Sequence, residues 1–319
     1  MEVINIKKQK KVDRQKVDLR RVRTKIWADR YMYLMTLPVV VYFLIFKYWP
    51  MGWLRIAFYD FKILRGFKGS TFVGLKHFKT FLHNPDFIRI MWNTLYLNIL
   101  SLIFVFTAPI LFALLLNEIS KNKFKKVVQT ISYLPHFLSM VVVTSMITTF
   151  LSPSIGIVNA IIKKFGYETI HFLGRPQYFR PIMLVSGIWQ GMGWGSIIYL
   201  SALAGIDMEQ YEAAVIDGAG RFQQVLYVTI PGIANTIMIM LILQIGNLLS
   251  VGFEKVYLLQ NAQNIAVSEV LSTYVYKMGI QSSNYSLATA VGLFNAILSL
   301  ILVLTANRLS AKYSEVSLI

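Results

Sequence analysis

Six stretches of this chain are too long and too apolar to be covered by water. A helix needs about twenty mostly apolar residues to cross the hydrocarbon core of a bilayer. The stretches 31–48, 90–116, 127–151, 181–206, 231–253 and 285–306 meet or approach that length. Backbone polar groups must be satisfied internally in lipid, so such runs fold as helices. Composition agrees: 55% of residues are hydrophobic and only 15% charged, against about 25% charged in a soluble domain. The expected fold is an all-α integral membrane protein of six transmembrane helices. Trp27 and Trp49 bracket the first span as interfacial aromatics do. Pro38 and Pro109 lie inside spans, where neighbouring helices re-satisfy the freed backbone groups.

Charge sets the orientation. Of the 32 Lys and Arg residues, eleven fall in the first thirty positions. A basic block beside a membrane span meets anionic lipid headgroups more often than nucleic acid. This leader has no A-x-A-like cleavage site after its apolar stretch, and it contains Asp13, Asp18 and Asp29, so it does not read as a targeting peptide. Leu19, Val22 and Ile26 share a helical face, which predicts a short helix on the inner membrane surface. Basic residues favour the cytoplasmic side in short loops. Lys121, Lys123, Lys125 and Lys126 between spans two and three, and Arg308 and Lys312 after span six, agree with the leader. The first outer loop, with Arg55, Lys62, Arg65, Lys68, Lys76 and Lys79, runs against the rule. Weighting the first span and the short second loop places both termini inside. The expected division is a basic cytoplasmic segment over 1–29, a transmembrane domain over 30–310 and a cytoplasmic tail over 311–319.

That orientation puts the loop 207–230 in the cytoplasm. Asp207 can cap a helix whose first turn holds Glu209, favourable at the positive end of the helix dipole. Tyr211, Ala214, Val215 and Gly218 share a face at three- and four-residue spacing. Gly218 then ends or bends the helix. Phe222, Val225 and Leu226 begin a second apolar stripe, and Pro231 opens the next span. The plain reading is a surface helix, a turn and a second helix. The length of the loop and its small-residue face point further, to a plug for a soluble partner.

Here the residues resemble a known family. Glu212-Ala213-Ala214, then Asp217-Gly218-Ala219, then Ile230-Pro231 resemble the E-A-A loop of permease subunits of bacterial ATP-binding-cassette importers. Similarity runs over roughly residues 30–310. Asn93-Thr94-Leu95, Leu134-Pro135-His136-Phe137 and the glycines around Trp189 resemble the carbohydrate branch, and the Leu-Pro-His-Phe stretch its oligosaccharide subgroup. Asp207 and Asn235 stand where many members carry proline. The resemblance implies a type I permease architecture, with residues 207–230 as a coupling helix seated in an ATPase subunit. The docking residues would be Tyr211, Glu212, Ala213, Ala214, Asp217, Gly218, Ala219, Phe222 and Pro231. It implies a second homologous permease, two ATPase subunits that bind the ATP and magnesium, and an extracellular solute-binding lipoprotein.

The chain itself carries no G-x-x-x-x-G-K-[ST] phosphate loop, no H-E-x-x-H and no cysteine, so no catalytic residue, cofactor or metal is expected in it. His77, His83, His136 and His171 lack ligand-like spacing and read as packing or interfacial residues. Span interiors hold almost no ionisable groups, whereas ion-coupled carriers keep them at membrane depth. The spans hold neutral amides and aromatics instead. Asn93, Trp189, Gln190, Trp194, Gln244, Asn247 and Asn295 are candidates for a path that takes a neutral polyhydroxylated solute. Interhelical hydrogen bonding is the more common use of such amides. Gln244 and Asn247, three apart on one face, are the strongest pair. Gly187, Gly191 and Gly195 form a four-residue stripe that suggests close helix packing. The rivals are an ion-driven secondary carrier, an importer of this class for a non-sugar solute, and a membrane-anchored assembly or sensor protein.

Overall fold

The computed structural model describes residues 27–249 and 252–313. The surface helix expected over Leu19, Val22 and Ile26, and the tail beyond Tyr313, lie outside the described residues. The chain divides into two compact units that meet between Arg55 and Ile56.

Among its described residues the first unit is helical. Helix α1, Arg30–Phe43, carries Pro38 within it and continues through a π-turn at Leu44–Tyr48. It belongs to the apolar helical run Arg30–Phe58.

The second unit opens with a small antiparallel hairpin, β1 (Tyr59–Lys62) and β2 (Gly66–Phe72), which pairs Tyr59 with Phe72 and Asp60 with Thr71. The expectation of an all-α chain is corrected by this hairpin, though helix dominates. Gly66 at the turn has φ +59, which glycine adopts without a Cβ penalty. The hairpin is followed by α2 (Lys76–Leu82). The second span is α3 (Phe87–Leu100) joined through a π-turn to α4 (Thr107–Asn117).

The third apolar stretch departs from expectation. It is not one straight span over 127–151. It is α5 (Asn122–Tyr133), a 3-10 turn at Leu134–Phe137 and α6 (Met140–Phe150), bent by 100°. Pro135 has no N–H to continue the helical ladder, Leu138 is extended, and Ser139 starts the new helix by accepting from the Val142 N–H.

Helix α7 (Ile157–Lys164) leads to α8, a 28-residue helix over Pro176–Leu203. The loop helix α9 (Met208–Ile216) and short α10 (Arg221–Gln224) precede α11 (Ile230–Gly246). The connector then forms α12 (Phe253–Leu259), α13 (Ile265–Ser268) and α14 (Leu271–Tyr276), and α15 (Tyr285–Tyr313) ends the unit. Among the described residues four helices are long and apolar enough to cross a membrane, five if the bent pair is one span. Helix α8 has the length, about 42 Å at 1.5 Å per residue, but its Gly, Ser, Gln and Trp residues make it less apolar. Helix α15 also runs past the boundary at 306 that hydropathy suggested.

Three clusters hold the second unit together. Ala113, Tyr199, Leu203 and Ile233 join α4, α8 and α11 at one end. Leu97, Phe179, Val256, Leu259 and Val270 bring the connector against α3 and α8. Phe81, Ile90, Leu271, Tyr274, Leu287 and Val291 tie α2, α3, α14 and α15 at the other end. Between membrane-embedded helices such clusters hold by van der Waals packing rather than by removal from water. The connector between α11 and α15 is therefore a folded-in part of the body, not a surface loop.

The glycines show where backbones meet. A Cβ on Gly193 would stand 2.0 Å from the Ser132 carbonyl oxygen. One on Gly195 would lie 2.9 Å from Pro109, and one on Gly187 3.3 Å from Val105. Gly191 faces open space. The tightest approach is thus α8 against α5 at Gly193, a position the four-residue stripe passes over.

Candidate functional site

Two places in the second unit have the geometry of a site. The first is the loop beyond α8. Asp207 Oδ1 accepts the Glu209 N–H at 3.0 Å and starts α9. At the other end Gly218 takes φ +78. The Gly218 N–H donates to the Val215 carbonyl and the Ala219 N–H to the Ala214 carbonyl at 2.8 Å, the paired closure of a Schellman end. Gln223 Oε1 then accepts the Gly220 N–H, and Gln224 Nε2 donates to the Ala219 carbonyl. Tyr211 reaches back to the Thr229 hydroxyl at 3.0 Å and anchors α9 to the base of α11.

This anchoring divides the predicted docking residues. Tyr211, Ala214 and Ala219 are half-buried and face inward. Glu212, Ala213, Asp217, Gly218, Phe222 and Pro231 are exposed. The outward surface is apolar beyond what the sequence pattern indicated: Ile216 is 84% exposed and Phe222 80%, with Met208 and Val215 beside them.

The second place is a cavity of about 210 Å³ among α3, α6, α8, α11 and α12. Its polar lining is Asn98, Ser101, Gln244, Asn247 and Lys255. Gln244 and Asn247 both line it. Asn98 donates to the Thr94 carbonyl and Asn247 to the Leu243 carbonyl, which leaves both side-chain oxygens for other donors. Lys255 is 6% exposed. With nothing but burial acting on it, its pKa is lowered from 10.5 to about 8.

The remaining path candidates are elsewhere. Asn93 is buried and spent within the fold: its Nδ2 donates to the Ala266 and Glu269 carbonyls and its Oδ1 accepts from Arg180 at 3.1 Å. Trp194 stacks on His136 with centroids 4.7 Å apart and an interplanar angle of 3°, and Phe137 meets its edge. Trp189 lines a separate apolar cavity of about 490 Å³ between α6, α7 and α8. Gln190 is half-buried on α8. Asn295 on α15 has a buried Oδ1 with no hydrogen-bond partner among the described residues.

At the end of the unit away from the loop lies a charge cluster that span-by-span reading missed. Glu269 Oε2 accepts from Arg89 and Oε1 from Lys277, each at 3.0 Å. Arg89 also meets Asp86, and Arg180 lies over the Tyr96 ring at 4.3 Å. Nearby, Lys76 and His77 both contact Asp60, and the Lys76 hydrogen bond holds the Asp60 carboxyl below its usual range. These groups sit at helix starts and in the connector, so a search of span interiors for ionisable residues passes them by. His77 and His136 both have partners inside the fold, in line with a packing role.

The helices and the polar cavity define a polytopic membrane protein with a solute-sized space inside its bundle. Residues 105–314 match the family described as binding-protein-dependent transport system inner membrane component. The chain belongs to that family of importer permeases. It is 46% identical to protein LplB of Bacillus subtilis, over 90% of each chain. It is 47% identical to the polygalacturonan/rhamnogalacturonan transport system permease YteP of the same organism, over 93% of this chain and 92% of that one. Among solved structures it resembles a chain of a bacterial alginate ABC transporter in complex with an alginate pentasaccharide-bound periplasmic protein. That match has a TM-score of 0.87 and 41% identity, and covers 93% of this chain and 100% of that one. The protein is a transport subunit of the inner-membrane type.

Proposed function

We propose that this chain is one of two related permeases of an ATP-driven importer that carries an oligosaccharide handed over by an extracellular binding protein. The observation behind this reading is 47% identity, across 93% of the chain, to a permease named for polysaccharide transport. In this reading α8 and the bent α5–α6 pair complete six spans over residues 30–310, with residues 1–29 and 311–319 in the cytoplasm. Two ATPase subunits bind ATP and magnesium; this chain holds no cofactor. Loop 207–230 is the coupling element. The exposed Ile216, Phe222, Met208 and Val215 seat in the ATPase, Glu212 pairs with a basic residue there, and Tyr211 carries the motion to α11. Closure of the ATPase dimer then moves the spans from inward to outward opening. The solute passes the cavity of Gln244, Asn247 and Asn98, whose amides exchange hydrogen bonds with hydroxyls without burying charge.

The test is co-purification from the native membrane followed by mass spectrometry. An ATPase and a second six-span subunit retained with this chain are expected. Recovery of this chain alone, with uptake driven by an ion gradient, would overturn the proposal. A second arm is Gly218→Trp, expected to abolish uptake while membrane insertion is retained; normal uptake would remove loop 207–230 from the mechanism.

A further inference from the structure

The cavity around Gln244 and Asn247 contains one group that a neutral sugar does not require. Lys255 on α12 is more than nine-tenths buried and lines this cavity. Its ammonium has no hydrogen bond or ion pair among the described residues. The two carboxylates closest in sequence do not serve it. Glu254, its neighbour on α12, is exposed, and Glu269 is committed to Arg89 and Lys277. The other polar groups lining the cavity are neutral: Asn98, Ser101, Gln244 and Asn247. Burial of the side chain pulls the ammonium toward its neutral form, while the residue lines a cavity whose walls supply no counter-charge among the described residues. A cation on the wall of a cavity otherwise lined by neutral amides and a hydroxyl is placed to meet an anion that enters it.

We infer that Lys255, with the amides of Asn98, Gln244 and Asn247, forms a subsite for the carboxylate of an acidic sugar, so that the oligosaccharide carried contains uronic acid residues. This rests on the carbohydrate reading above and narrows it. The chemistry divides cleanly between the two kinds of group. The ammonium meets the carboxylate in a charge-assisted pair, which in a low-dielectric site is about twice as strong as a neutral hydrogen bond. The amides take the ring hydroxyls. At about 210 Å³ the cavity is smaller than the roughly 300–1,000 Å³ of sites that enclose a drug-sized ligand. It fits one ring of a chain passing through, not a whole oligosaccharide.

The experiment is chemical footprinting of Lys255 in the native complex, reconstituted in nanodiscs. Amine acetylation is followed by mass spectrometry, with exposed Lys68 as the internal reference. The probes are galacturonate, glucuronate, mannuronate and guluronate, each beside its neutral hexose. At a uronate concentration ten times its dissociation constant, acetylation of Lys255 is expected to slow about tenfold, with no effect of the neutral hexoses and none at Lys68. Equal protection by a uronate and its neutral hexose would overturn the carboxylate subsite while leaving sugar import intact. Lys255 modified freely in the isolated chain but protected in the sugar-free complex would also overturn it, by assigning the carboxylate to a partner subunit. No protection under any condition would overturn it as well. Lys255→Gln supplies the functional arm. It is expected to lose uptake of galacturonate oligosaccharides at least in part, and to keep the complex assembled. Undiminished uptake in that variant would refute the assignment. Failure of the importer reading would show separately, as absence of the ATPase from the purified complex.

Discussion

Replacing Gly193 by alanine adds one methyl group where α8 crosses the end of α5. The ideal Cβ falls 2.0 Å from the Ser132 carbonyl oxygen, 2.4 Å from its carbon and 2.9 Å from its Cβ. Carbon contacts settle near 3.5–4.0 Å, so the two backbones must part by more than about 1 Å. Two of the three atoms are main chain and cannot rotate away. Overpacking of this kind costs about 1–3 kcal/mol, more where the surroundings are rigid. Alanine recovers part of that through its helix propensity, worth about 1 kcal/mol over glycine. Gly191 supplies the control, since its Cβ would meet nothing within 4 Å. Gly191→Ala should gain the propensity without the clash. The propensity gain is common to both, so the two variants are expected to differ by the overpacking cost, roughly 1–3 kcal/mol, with Gly193→Ala the less stable. The assay is the fraction of monodisperse protein left after heating in detergent, read by size-exclusion chromatography. If Gly193→Ala survives heating as well as Gly191→Ala, the close approach of α8 to α5 is wrong, and with it the packing that positions the cavity helices.

Three further outcomes are expected. At Gly218, φ +78 strains any side chain while space around it is open, so Gly218→Val should weaken coupling of transport to ATPase turnover and Gly218→Asn should largely retain it, since Asn tolerates the left-handed region; equal activity of the two would refute a backbone role. Glu269→Ala leaves Arg89 and Lys277 without their shared carboxylate, and because Arg89 is a third exposed the loss should be on the order of 2 kcal/mol, below the 3–5 of a fully buried pair; a heating profile like that of the parent would show the cluster to be energetically idle. Lys255, held near pKa 8, makes stability rise with pH: between about 8 and 10.5 the unfolded chain keeps a proton the folded chain has shed. The heat resistance of the parent should therefore improve from pH 7 to about 9.5 and that of Lys255→Met should not; parallel profiles would refute the burial.

Four of the six apolar stretches were legible as long apolar helices, because hydropathy is a local property, a sum over twenty neighbours that needs no partner. The 207–230 loop was legible for the same reason. Asp207 as cap and Gly218 as stop act within their own turns, and the structure keeps both. Tertiary structure decided what depends on how one helix is rotated and set in register against another. The stripe of Gly187, Gly191 and Gly195 predicts a contact at every fourth residue. Gly187 and Gly195 make that contact, with Val105 and Pro109, but Gly191 faces open space and the tightest approach, to Ser132 of α5, falls at Gly193 between them. Asn93 and Gln244 look alike as amides inside spans. The connector closes over Asn93 through Ala266 and Glu269, while Gln244 remains on a cavity wall. Lys255 is, in sequence, one cation in the stretch 254–284 between the fifth and sixth apolar runs. Only the folding of that stretch into the bundle, driven by Val256, Leu259 and Val270, takes its charge out of water, and that burial is a property of the whole packed body.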